Sequence, residues 1–197
     1  MKLHIFPASP NARKAVTANE LLGLNIETVV VDLPNGAHKS AEFLTLNPNG
    51  KIPVLELDDG TTLWESKAII NRMAAEVDTE LWPKTNARYD IMRWQFWESA
   101  HWAPACSQFI SKHIFGNDEV DLVKAEQGFN SFAAVLDGHL ASRDWLVGGN
   151  MTNADISVAA ILAYRVPCHY PMVDFAHINR WVDQIEELSA WQMANVA

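Results

Sequence analysis

Two stretches of this 197-residue chain hold residues whose types and spacing can do chemistry: Asn47-Pro48-Asn49-Gly50-Lys51-Ile52-Pro53-Val54-Leu55 and Trp64-Glu65-Ser66-Lys67-Ala68-Ile69. In the first, a turn runs into an Ile-Pro step that opens an apolar strand. Asp58-Asp59-Gly60 then turns the chain back, and the Glu-Ser pair starts a helical pattern. Proline has no N–H, so Pro53 belongs at the start or edge of a strand. With a cis bond there, the Ile52 backbone would present unpaired polar groups outward. A helix N-terminus a short distance away favours an anion. Together these features predict a cradle for a small peptide that carries a carboxylate.

The elements that must hold this cradle follow from the pattern around it. Residues 3–6 alternate like a short strand, and 12–22 read as a helix with Gly23 as its C-cap. The β-branched run at 28–31 predicts a buried strand and hence a parallel strand–helix–strand crossover. Residues 40–46 form a short helix, 54–57 and 61–63 a hairpin, and 65–76 a helix. Past residue 78 no strand is expected. Ile91, Trp94, Trp97 and Ala100 recur at helical spacing through 87–113, 120–140 does the same, 145–149 is a loop, and 153–164 is an apolar helix. The chain therefore divides near residue 80, across the Pro-containing connection 81–85, into an α/β domain (1–79) and an all-helical one (86–197). Thr152 and Asp155 have capping-box spacing, with Met151 and Ile156 as its hydrophobic staple. Asp155 reads as a structural cap rather than a catalytic acid.

Composition excludes several classes. The formal net charge is −9, and 1–80 and 81–197 are both acidic, so neither half offers the basic footprint that nucleic acid or an anionic membrane needs. No apolar run approaches the roughly 18 residues of a membrane span. The N-terminus turns polar too soon for a signal peptide, which predicts a cytoplasmic protein. Cys106 and Cys168 lie far apart, allow one disulfide at most, and read as buried thiols. Without Cys-x-x-Cys a dithiol mechanism is disfavoured. The seven histidines lack metal-ligand spacing, so no metal site is expected.

Ser9-Pro10-Asn11-Ala12-Arg13-Lys14, Asn-Pro-x-Gly-Lys-Ile-Pro, Glu-Ser-x-Ala-Ile and the capping box are each weak alone, but in this order they resemble the soluble glutathione S-transferases, bacterial-like and of the serine type. The resemblance covers nearly the whole chain. It implies an α+β, thioredoxin-like N-terminal domain (βαβ-α-ββα) that holds glutathione as co-substrate, an all-α C-terminal domain, and a homodimer. Carried over residue by residue, Pro53 resembles the family's cis-proline, and Ile52 the residue whose backbone pairs with the cysteinyl part of glutathione. Glu65 and Ser66 resemble the binders of the γ-glutamyl ammonium and carboxylate, although an ordinary helix N-cap uses the same residue types. His38, Lys39 and Lys51 are candidates for the glycyl carboxylate.

Ser9 sits where serine-type members place the hydroxyl that stabilises the thiolate, and Asn11 is a rival donor; Arg13 is expected to brace structure. A free thiol has a pKa of about 8.5, so little of it is thiolate at neutral pH. A charge-assisted hydrogen bond of about 1.5–3 kcal/mol and a helix N-terminus of about 0.3–1 kcal/mol would lower it by about 1–3 units.

The second substrate is expected against the helical domain, where Trp97, His101 and Trp102 are candidates for a pocket that takes a small apolar or aromatic electrophile. An aromatic stripe at helical spacing is more often core than pocket, so the same residues also read as core. The expected reaction is conjugation of the glutathione thiolate to that electrophile, as in detoxification. A glutathione-dependent reductase, isomerase or dehalogenase would use the same first-domain residues. A non-catalytic protein-interaction module on this fold is a further alternative.

Overall fold

Ser9 starts the first helix as its N-cap, and Pro10 follows at a position where a missing N–H costs nothing. The computed structural model describes residues 1–194. It groups them into two units: Met1–Trp82 together with the segment from Leu188 onward, and Pro83–Glu187.

The first unit contains β1 (Lys2–Ile5), α1 (Pro10–Leu22), β2 (Glu27–Val30), a 3₁₀ turn (Ala37–Lys39), α2 (Ala41–Leu46), β3 (Val54–Glu56), β4 (Thr62–Trp64), α3 (Ser66–Ala74) and α9 (Ser189–Met193). The strand order is β2-β1-β3-β4. β1 and β2 are parallel with Leu3 opposite Thr28, while β3 is antiparallel to both β1 and β4, with Leu55 opposite Leu3 and Leu63. Leu3, Ile5, Val54 and Leu55 from the sheet are buried, as are Ala12, Ala15 and Ala18 from α1 and Ile69, Ile70, Met73 and Ala74 from α3. Gly23 ends α1 at φ 62°, a conformation that favours glycine.

Two expectations change here. The β-branched run at 28–31 was expected to lie buried; instead β2 is an edge strand, and Val30 is 63% exposed. A β-branched composition reports strand preference, whereas burial depends on how many neighbours the strand acquires. Residues 188–194 belong with the first unit and not with the helical domain that the sequence predicts for them. There Arg13 donates to the Trp191 carbonyl (3.1 Å) and stacks over its ring, so Arg13 braces structure as expected.

The second unit is helical: α4 (Ala87–Trp97), a π-helical turn (Glu98–Trp102), α5 (Ala103–His113), α6 (Leu122–Leu140), α7 (Asn153–Ala159) running into a 3₁₀ turn (Ala160–Tyr164), and α8 (Ala176–Glu186). Every residue of α7 is buried. Asp137 accepts from the His177 and Ile178 amides (2.9 and 3.0 Å) and so caps the start of α8. The capping box is formed: the Ala154 amide donates to Thr152 Oγ1, and the Asp155 carboxylate accepts from the Thr152 amide (2.8 Å). The carboxylate also accepts from the Leu146 amide (2.9 Å), Trp181 Nε1 (3.0 Å) and Thr152 Oγ1 (3.2 Å). Burial pushes the Asp155 carboxyl up to about 6, ahead of the opposing effect of these hydrogen bonds. Cys106 and Cys168 are free and buried, and desolvation raises both thiols. Among the described residues no helix is long and apolar enough to cross a membrane.

Candidate active site

The starts of α1 and α3 meet. Asn11, in the first turn of α1, accepts at Oδ1 from the Ser66 hydroxyl (3.3 Å), which belongs to the first residue of α3 and is buried. The same oxygen accepts from Lys14 Nζ (2.9 Å). Ser9 Oγ accepts from the Ala12 amide (3.3 Å), so it acts as a cap while keeping its own proton for donation. Ser9 is half-buried and Asn11 exposed. Two helix N-termini with polar side chains at their first positions thus converge on one region, a setting that favours anionic groups.

Glu65 precedes Ser66 with φ 73° and ψ 110°, a conformation that a non-glycine residue rarely adopts. Its side chain makes no cap hydrogen bond to α3 and is exposed. An ordinary N-cap would sit in the β region with its side chain turned back on the helix. Strained backbone of this kind gathers at ligand sites. The carboxylate is therefore displayed, while the first amides of α3 have no side-chain cap.

The third part is the turn that carries Ile52 and Pro53. Asn47 is almost fully buried and shapes this turn. Its Nδ2 donates to the Lys51 carbonyl (2.7 Å), and its Oδ1 accepts from the Asn49 amide (3.0 Å) and Asn49 Nδ2 (2.9 Å). Gly50 has φ 59°, and a Cβ there would lie 3.1 Å from the His38 carbonyl oxygen, so the turn also fits closely against the 3₁₀ segment. The Ile52–Pro53 peptide bond is cis. The Ile52 N–H and C=O bond to no other described residue, which leaves one backbone donor and one acceptor unpaired beside Pro53. Lys39 and Lys51 are exposed; His38 is half-buried, and its Nδ1 is buried without a partner.

Residues 8–76 match the profile of the glutathione S-transferase N-terminal domain, and residues 94–189 that of the C-terminal domain. Glutathione S-transferase 3 of Zea mays is 34% identical over 205 residues, covering 98% of this chain and 91% of the maize protein. The chain belongs to the glutathione S-transferase family. Among solved structures, a glutathione S-transferase from Pseudomonas fluorescens superposes with a TM-score of 0.86 at 29% identity, covering 96% of both chains. Glutathione transferase URE2P8 from Phanerochaete chrysosporium, solved with oxidized glutathione, gives 0.86 at 26% identity, covering 98% of this chain and 92% of that one.

In the helical unit the glutathione S-transferase chain forms an aromatic group of its own. The π-helical turn adds a residue to the turn, so positions five apart come onto one face. As a result Trp97 stacks on Trp102 (centroids 6.0 Å, 18°) and meets Trp94 edge-on (5.1 Å). Trp102 has no exposed surface and packs on Phe129 (4.8 Å), which makes it core. Trp97 is half-buried, and His101 is exposed and stacked on Phe132 (5.1 Å, 24°). Of the three aromatic candidates in the helical unit, Trp97 and His101 present surface, and Trp102 does not.

Reading the sequence missed Lys14 and Asn47. Lys14 follows Asn11 by three positions on α1, a helical neighbour spacing, and that was its only signal. Asn47 looked like one more turn residue.

Proposed function

We propose that this chain is a glutathione transferase that holds the tripeptide with its first unit and ionises its sulfur. The contact between Asn11 and Ser66 carries the reading, because it joins the start of α1 to the start of α3. In the proposal, the Ile52 backbone pairs with the cysteinyl residue beside Pro53. Glu65 meets the γ-glutamyl ammonium, and Ser66 with the open end of α3 meets its carboxylate. Lys39 and Lys51, with His38 behind them, take the glycyl carboxylate. A donor at the start of α1, Ser9 or Asn11, then stabilises the thiolate, which makes the protein serine-type if the donor is Ser9. The bound thiolate attacks an electrophilic carbon, forming the C–S bond as the leaving group departs with its electron pair or the acceptor is protonated. The electrophile rests on the aromatic surface that Trp97 and His101 offer, with Trp102 packed behind.

The free thiols Cys106 and Cys168 suit a reducing, cytoplasmic setting. A homodimer is part of the reading; Tyr89 and Phe96, one helical face apart by two turns and both exposed on α4, are aromatics available to it. Calorimetry with glutathione tests the grip, and the absorbance of the bound thiolate against pH tests the ionisation. Association together with a midpoint about 1–3 units below that of free glutathione is expected. No heat at millimolar tripeptide, or an unshifted midpoint, overturns the proposal.

A further inference from the structure

We infer that Lys14 is a positioning residue for the reaction proposed above, on which this inference rests: its ammonium turns the Asn11 carboxamide so that the NH₂ group is left for the thiolate. Lys14 is 1% exposed and lies on α1 one turn before the buried Ala18. An ammonium held this deep is costly unless it is hydrogen-bonded, and its Nζ lies 2.9 Å from Asn11 Oδ1. The two ends of a carboxamide look alike in outline, but lysine has three donors and no acceptor, so the atom it meets must be the oxygen. The Ser66 hydroxyl donates to that same oxygen (3.3 Å), occupying its second lone pair. The Asn11 NH₂ bonds to no other described residue, and Asn11 is exposed.

Three consequences follow. Both N–H donors of Asn11 are left without a described protein partner at the start of α1. A cation on the carbonyl end draws electron density from the amide nitrogen and strengthens those donors, as in any polarised chain of hydrogen bonds. The Ser66 proton is committed to Asn11, so Ser66 meets a ligand carboxylate through its backbone N–H. The Ser9 proton remains a donor, but among the described residues no charged group bonds to its hydroxyl.

The test uses the full chain with glutathione bound and follows the thiolate absorbance against pH, alongside KM and kcat. Lys14→Met keeps the length of the side chain without its charge. It is expected to raise the midpoint of the bound thiol by about one unit, equivalent to an approximately tenfold loss of kcat/KM below that midpoint, with KM for glutathione changed less than about twofold. Asn11→Ala is expected to do the same, and the double variant to be no worse than either single one. Lys14→Arg should recover part of the shift. Asn11→Asp, which keeps an oxygen acceptor for Lys14, removes the NH₂ and should raise the midpoint at least as far. That variant decides the matter if Lys14→Met does not fold. An unmoved midpoint in Lys14→Met or in Asn11→Asp, or shifts that simply add in the double variant, overturns the inference. Wild-type protein that does not bind glutathione overturns the proposed function instead, so the two failures are separable.

Discussion

Glu65 shows at the scale of one residue how the candidate site departs from the rules that build the rest of the chain. At φ 73° and ψ 110° it occupies backbone space that costs about 1–3 kcal/mol for a side-chain-bearing residue. Glycine would relieve that cost while adding about 0.5–1 kcal/mol of lost chain entropy. Glu65→Gly is therefore expected to melt higher, by a net stabilisation of about 1 kcal/mol, and to bind glutathione about tenfold more weakly through loss of the proposed ammonium partner. Thermal unfolding and calorimetry on the same preparation check both signs. Unchanged affinity would remove Glu65 from the site. The sequence showed Glu65 and Ser66 as a pair but could not show that the Glu65 side chain leaves the helix uncapped, because φ at one residue is set by the turn from β4 into α3.

At the scale of the element, the start of α7 is held by a carboxyl that prefers its proton. Asp155 titrates at about 6 in the folded protein, against 3.8 as its ordinary value, because desolvation outweighs four hydrogen bonds. A folded-state value above the unfolded one means that the native state binds the proton more tightly. The associated stability is thus fully present below about pH 4 and is lost as pH rises through about 6. The loss amounts to about 3 kcal/mol at 1.36 kcal/mol per unit. Asp155→Asn, neutral at every pH, should unfold with a flatter dependence between pH 4 and 6 than wild type when urea unfolding is followed across that range. Parallel curves would show that the group titrates normally. The capping box itself was legible from Thr-x-x-Asp spacing, since Thr152 and Asp155 are local to one helix start. Its partners Leu146 and Trp181 were not, since they reach Asp155 from other elements. The π-helical turn was also hidden, because Trp97 and Trp102 acquire a common face only once the helix takes up the extra residue.

For the molecule as a whole, the last described helix returns to the unit at which the chain began. Trp191 is 2% exposed, and its carbonyl and ring both engage Arg13. Trp191→Ala is expected to cost about 3–5 kcal/mol, as for other buried large-to-small changes. In unfolding curves the loss should fall on the transition that glutathione shifts upward, since a ligand stabilises the unit that binds it. A loss confined to the glutathione-insensitive transition would separate α9 from the binding unit. By itself, the sequence determined the two kinds of architecture, the Gly23 C-cap of α1, the hairpin, the Ile52-Pro53 step and the Glu65-Ser66 pair. Each of these is written in residues close together, where backbone preference and periodicity act directly. The tertiary structure alone decided that β2 is an edge strand, that Trp102 is core, that α9 joins the first unit, and that Lys14 reaches Asn11 beside Ser66. Those outcomes depend on which surfaces remain for each element to bury once the others are in place, and no stretch of neighbouring residues encodes that.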